Sequence, residues 1–186
     1  MQGALACEPA PTFNVAPLAP ASVEVRIDGH CPYHRLTLTY GPFRVVEETS
    51  VRGAVVVTLP RLPRRAELTV TWQEGARTLL MPSAPEGVGI AALAWTGAGP
   101  GPALRTRAGG AATRAGFPGP DSAGIDFVVL SPGDAAALVF AVTPETCGEV
   151  ASASVLVGAP LGPEAVSVSM PPCDSAASAV RVPLPR

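Results

Sequence analysis

Val23-Glu24-Val25-Arg26-Ile27-Asp28 carries an apolar residue at every odd position and a charged one at every even position, the period-2 signature of a strand with one wet face. Gly29 ends the run. Working outward, Leu36, Leu38 and Tyr40 alternate with Arg35, Thr37 and Thr39 before a Gly41-Pro42 turn signal, and Leu68, Val70 and Trp72 alternate with Glu67, Thr69 and Thr71. Between them lie Phe43 to Glu48 and Ala54 to Leu59, the latter apolar on both faces and so expected to be a central strand. Five such runs between Ser22 and Trp72, rich in β-branched residues, predict an antiparallel all-β unit.

The pattern continues on either side. Pro9, Pro11, Pro17 and Pro20 favour an extended tail or strap over a helix for residues 8 to 21. Arg77 to Met81 reads as a sixth strand after Glu74-Gly75, and Pro82 to Gly87 as a linker. The expected organisation is a tail over 1–21, a first β domain over 22–85 and a second over 86–186. In the second, Ile90 to Thr96, Ile125 to Leu130 and Ala137 to Thr143 read as strands, the last returning antiparallel across Ser131-Pro132-Gly133-Asp134. Ala151 to Val157 and Ala165 to Met170 read as a hairpin, with Val155 opposite Val166, and Val180 to Leu184 as a last strand or tail. Gly97 to Gly124 is expected to be a long loop in which only Ala103 to Arg107 is strand-like. With no amphipathic helix in sight, the fold class is all-β, an antiparallel β-sandwich of two small immunoglobulin-like or sandwich units.

Composition excludes several functions. Of the 186 residues 15% are charged, against roughly 25% in average globular proteins, and the net charge is −2. That balance disfavours nucleic acid as a partner. All thirteen basic residues are Arg, and without Lys there is no Schiff base, no P-loop Lys and no Ser-x-x-Lys acylase. No apolar run approaches the 18 or so residues of a membrane-spanning helix.

Ala4-Leu5-Ala6 before Cys7 matches a signal-peptidase pattern. The expectation is the end of a signal peptide whose upstream part lies outside this chain, with an acylated Cys7 as the lipoprotein variant. Four cysteines allow three pairings, and local pairing, Cys7 with Cys31 and Cys147 with Cys173, is favoured. The freedom of Gly148 or a one-residue bulge would bring the last pair together. Closing residues 7 to 31 is worth about 3.5 kcal/mol in the chain-entropy model.

Chemistry-bearing residues are few. His30-Cys31-Pro32-Tyr33-His34 holds both histidines beside a cysteine, a donor set that suits copper or zinc. Only Asp28 is close in sequence as a carboxylate, and a Cys31 bonded to Cys7 cannot ligate. His30 and His34 are therefore weak metal candidates, and no cofactor is expected. There is no Gly-x-Ser-x-Gly. Glu47 and Glu48 point to opposite faces of a strand and read as edge charges. Asp121 to Asp126 has a calcium-loop outline that an Asx-turn explains better. Trp72 and Trp95 lie on the apolar sides of their strands and read as core rather than as a sugar-stacking face.

A Cys closing the first strand, Leu59-Pro60, Ala92-Leu93-Ala94-Trp95 with Gly97, Thr146-Cys147-Gly148 and Met170-Pro171-Pro172-Cys173-Asp174 follow one another in an order that resembles a group of exported alphaproteobacterial β-rich proteins of unassigned function, some labelled "translocase". The resemblance spans residues 7 to 175 and implies export and oxidised cysteines, with no catalytic residues to carry over. The functional expectation is a non-enzymatic periplasmic or cell-surface protein that binds another envelope protein. The alternatives are a carbohydrate-binding or adhesive module and a copper-binding periplasmic protein.

Overall fold

Alternation in sequence becomes alternation in burial: Val23, Val25 and Ile27 are fully buried, while Arg26 between them is exposed. The computed structural model describes residues 11–97, 101–157 and 162–185, and every regular element among them is a β-strand. The chain begins with β1 (Thr12–Ala19), β2 (Ser22–Asp28), β3 (Arg35–Tyr40), β4 (Phe43–Glu48), β5 (Val55–Pro60), β6 (Ala66–Trp72) and β7 (Gly75–Met81). They form a three-stranded sheet in the order β1-β2-β5 and a four-stranded sheet in the order β4-β3-β6-β7, with antiparallel pairing throughout. The two sheets form a sandwich, and the chain crosses from one to the other after β2, β4 and β5. Gly41, at φ 55°, opens the two-residue turn between Tyr40 and Phe43, as a primed hairpin turn requires. The Tyr40 phenol is buried and accepts the Leu62 N–H at 3.3 Å, pinning the β5–β6 corner. Burial raises its pKa.

The second half comprises β8 (Gly89–Thr96), β9 (Ala103–Thr106), β10 (Thr113–Ala115), β11 (Ala123–Leu130), β12 (Ala136–Ala141), β13 (Val150–Val157), β14 (Gly162–Ser169) and β15 (Ala179–Pro183). Five strands pair in the order β10-β11-β8-β13-β14 and three as β15-β12-β9. The five-stranded sheet is covered on both faces at its centre. Leu93 and Val128 face the core shared with β12, whereas Ala92, Ile125, Phe127 and Leu156 join the hydrophobic cluster of the first sandwich. Two-sided burial explains why β8 and β11 read as nearly continuous apolar runs. The sheets divide at residues 82–88, but the core does not: β11 lies against β4, and β10 against β5.

Several expectations need correction. Residues 12 to 19 are no loose strap; they form β1, paired along β2 from Thr12↔Asp28 to Pro17↔Val23. Pro17 is tolerated because β1 is an edge strand. β5 is an edge in its ladder, with β2 central, and Val56 is 50% exposed. A run of three valines hides the alternation because both faces carry the same β-branched residue. β12 does not return beside β11; it crosses to the other sheet, where it pairs with β9 and β15. The β13–β14 hairpin is displaced by two residues, with Ala153 rather than Val155 opposite Val166. The displacement is even, so every side chain keeps its expected face. The expected long loop also contains β10, held by Thr113↔Phe127, Arg114↔Asp126 and Ala115↔Ile125. Part of the segment expected to be loop thus forms the edge strand of a sheet.

Candidate functional site

Three connections of the first sandwich gather at one end: residues 29–34 after β2, 49–54 after β4, and the turn Gln73-Glu74 after β6. β1 also begins there, opposite Asp28. Thr49, 1% exposed, organises the first connection. Its hydroxyl donates to the Cys31 carbonyl at 2.5 Å and accepts the His34 N–H at 2.9 Å. Its backbone carbonyl accepts the Tyr33 N–H at 3.0 Å, and its own N–H donates to the His34 carbonyl at 2.9 Å. Four hydrogen bonds to one buried residue leave the segment little freedom. Gly53, at φ 69°, accepts the His30 N–H through its carbonyl at 3.0 Å. A Cβ at Gly53 would strike the His30 carbonyl oxygen, so only glycine fits.

That scaffold presents Tyr33 to solvent. Its side chain is 64% exposed on a backbone held at φ 58°, a left-handed conformation that costs a non-glycine residue about 1–2 kcal/mol. Val51, on the connection after β4, is 66% exposed. Below them runs a row of rings: His34 to His30 at 5.2 Å, His30 edge-on to Trp72 at 6.3 Å, and Trp72 to Phe13 at 6.0 Å between centroids. The Arg77 guanidinium caps the row 5.4 Å from the Phe13 centroid. Trp72 is half-buried and packs against the core of the first sandwich, as expected of a residue on the apolar side of its strand.

His30 is not a solvated loop residue. Only 4% of its side chain is exposed, and its Nδ1 accepts the Cys31 N–H at 2.8 Å. That bond leaves the neutral ring's proton on Nε2, which faces the Glu74 carboxylate at 4.0 Å. Glu74 was not legible as a neighbour because it sits on another turn. Asp28, the carboxylate close in sequence, is paired with Arg26 at 2.6 Å. Ligand-type atoms of His30, Cys31 and His34 do converge, all lying within 4.8 Å of one another. Cys31 is, however, disulfide-bonded, and a bonded sulfur is no thiolate donor. Cys7, its expected partner, lies outside the described residues. Cys147 and Cys173 are joined, next to Gly148 at φ 73°, with Gly148 N–H bonded to the Pro171 carbonyl.

A second polar cluster, in the second half, was missed. Asp126 belongs to β11 and not to a calcium loop; it is 6% exposed. Arg114 binds both of its oxygens, at 2.9 and 3.0 Å, and the Trp95 indole N–H donates to one at 3.3 Å. Asp126 in turn raises the pKa of Arg114 through that bond. The Trp95 ring lies over Gly124, where any Cβ would collide with it. Arg114 and Asp126 help line a cavity of 230 Å³ with Leu104 and Arg105. With the carboxylate engaged by Arg114 and Trp95, the arrangement locks β10 to β11. A larger apolar groove of 640 Å³ runs along the linker, between Pro85, Ile90, Leu130 and Pro185.

Glu47 also differs from the expected edge charge. It is partly buried against the second half, its carboxylate accepts the Gly116 N–H at 2.7 Å, and burial raises its pKa. The neighbouring Val46 carbonyl accepts the Phe117 N–H at 2.8 Å, so an edge of one sheet is sealed by the loop after β10.

Comparisons with protein-family models, curated proteins and solved structures found no match. Fold and site therefore define the class on their own: an all-β, antiparallel, disulfide-bonded, sandwich-like protein with an ordered aromatic loop end. No helix long and apolar enough to cross a membrane is present among the described residues.

Proposed function

We propose that this chain is a non-enzymatic β-sandwich protein of the bacterial periplasm or cell surface, and that it binds another envelope protein through the loop end carrying Tyr33. The observation that carries the reading is Tyr33 itself. A large side chain held out to solvent, on a strained backbone fixed by a buried threonine, is a costly arrangement without a packing role. Exposed aromatic anchors on rigid loops are the usual centre of a protein contact. The Cys147–Cys173 bond supports an oxidising compartment.

The test is site-specific photo-crosslinking from position 33 in intact envelopes of the native host. An adduct of defined mass, absent when the photoreactive group is placed at the exposed Leu80, near the end of β7 that leads away from the Gln73-Glu74 turn, is the expected result. An identical adduct pattern from both positions, or none from position 33, would overturn the reading. Carbohydrate binding is the second reading, favoured by the same exposed ring at the end of the sandwich where Trp72 is half-buried. A glycan array showing retention that Tyr33→Ala abolishes would replace the first reading with it.

A further inference from the structure

Every sheet in the molecule has two edge strands, and an open edge is a template for another strand unless something blocks it. Among the described residues, seven of the eight edges are blocked or too short to serve. β1 carries Pro17 and a register shift between Pro17 and Ala19. β4 and β5 lie against the second half. β7 carries Arg77, stacked over Phe13. β15 carries Pro183 and Arg181, and the Arg181 guanidinium donates to the carbonyls of Thr106 and Arg107. β9 and β10 have four and three residues. The exception is β14. Its Gly162, Pro163 and Glu164 are confined to its start; from Ala165 to Ser169 it has no charge, proline, glycine or bulge, and its pairing with β13 is regular from Val157↔Gly162 to Val150↔Ser169.

We infer that β14 is a self-association edge, at which a second copy of this chain adds its own β14 antiparallel about a two-fold axis. The segment is self-complementary. With Ser167 on the axis, Val166 meets Val168 of the second copy and Ala165 meets Ser169, so residues that face the core stay on the core side of the joined sheet. Glu164, the one charged residue of the strand, falls at opposite ends of the pair and never meets itself. A second copy supplies the matching alternation by identity, and an isologous contact of this kind closes on itself. Edge pairing alone buries little surface, so the association is weak and concentration-dependent.

Sedimentation velocity on the full oxidised chain, from low to high micromolar concentration, tests this. The expected result is a monomer–dimer equilibrium. Ser167→Lys, an exposed substitution that sets two cations together on the axis, should raise the dissociation constant by roughly fivefold or more and leave the circular dichroism spectrum unchanged. Ser167→Cys should yield a covalent dimer on mild oxidation, and Ala165→Cys, which lies away from the axis, should not. A monomer at all concentrations, or a dimer indifferent to Ser167→Lys, overturns the inference. Neither result bears on crosslinking from Tyr33, which belongs to the loop end of the first sandwich.

Discussion

The Gly116 N–H donates to the Glu47 carboxylate at 2.7 Å, across 69 residues of sequence and between the two halves of the chain. Burial raises the pKa of Glu47 and the Gly116 bond only partly offsets it, so the folded state favours the protonated acid. The stability gained from this group is fully present below the ordinary value of 4.5 and is lost as pH rises through the raised value. Glu47→Gln keeps an acceptor for Gly116 and removes the charge. Urea titrations should show the variant more stable than the parent at pH 7, with the difference gone by pH 4. Glu47→Ala, which orphans the Gly116 N–H, should cost about 1–3 kcal/mol.

Phe127 is 1% exposed and packs in the first sandwich's cluster although it belongs to the second half. Phe127→Ala should cost about 3–5 kcal/mol. Trp72 and Trp95 stand one in each half, so Trp72→Phe and Trp95→Phe leave a reporter for each. Both reporters should give the same unfolding midpoint, and both should move together when Phe127 is truncated. Separate midpoints in the parent would mean the shared core does not couple the halves.

Tyr33 should be worse for stability than for binding. Tyr33→Gly relieves the left-handed strain and should leave stability unchanged or raise it by up to about 1 kcal/mol. The same variant should lose retention of the envelope partner. Thermal melts and pull-downs on one preparation would separate these effects, and a destabilised variant would mean that the ring packs after all.

Replacing Cys147 and Cys173 by Ala opens a closure of sequence separation 26. The chain-entropy model puts the loss at about 3.5 kcal/mol, measurable as a lower urea midpoint. Because Val150 to Val157 still pairs with Gly162 to Ser169, the strand signal in circular dichroism should persist in the folded variant.

Metal binding at His30 and His34 should depend on redox state. Calorimetry with Cu(I) or Zn(II) should be flat on the oxidised chain, where the Cys31 sulfur is engaged. After reduction by a dithiol, a binding isotherm should appear that His34→Ala weakens. An isotherm of equal strength on the oxidised protein would show that the imidazoles with Glu74 suffice.

What could be read from sequence was whatever is local. Strands β2, β3 and β6 announce themselves because Glu24, Thr37 and Thr69 are polar where their neighbours are not, and period-2 burial needs no knowledge of partners. The role of Val55-Val56-Val57 was misjudged because valine is indifferent to which face it occupies. β10 was invisible: Thr113, Arg114 and Ala115 form a strand only because Phe127, Asp126 and Ile125 lie beside them. The loop end shows the same division. His30, Cys31 and His34 are close in sequence, whereas Thr49 and Gly53 are brought to them by the connection after β4, and Trp72 and Glu74 by the turn after β6. Asp126 was read with its neighbour Asp121 when its true partners are Arg114 and Trp95.

The shared cluster of Phe127, Ile125 and Ala92 with Val45 and Leu59 bears on how such a chain diversifies. A first sandwich joined to a foreign second half would bring its side of that cluster against a different face, so substitutions on β4 and β11 are expected to be coupled rather than independent.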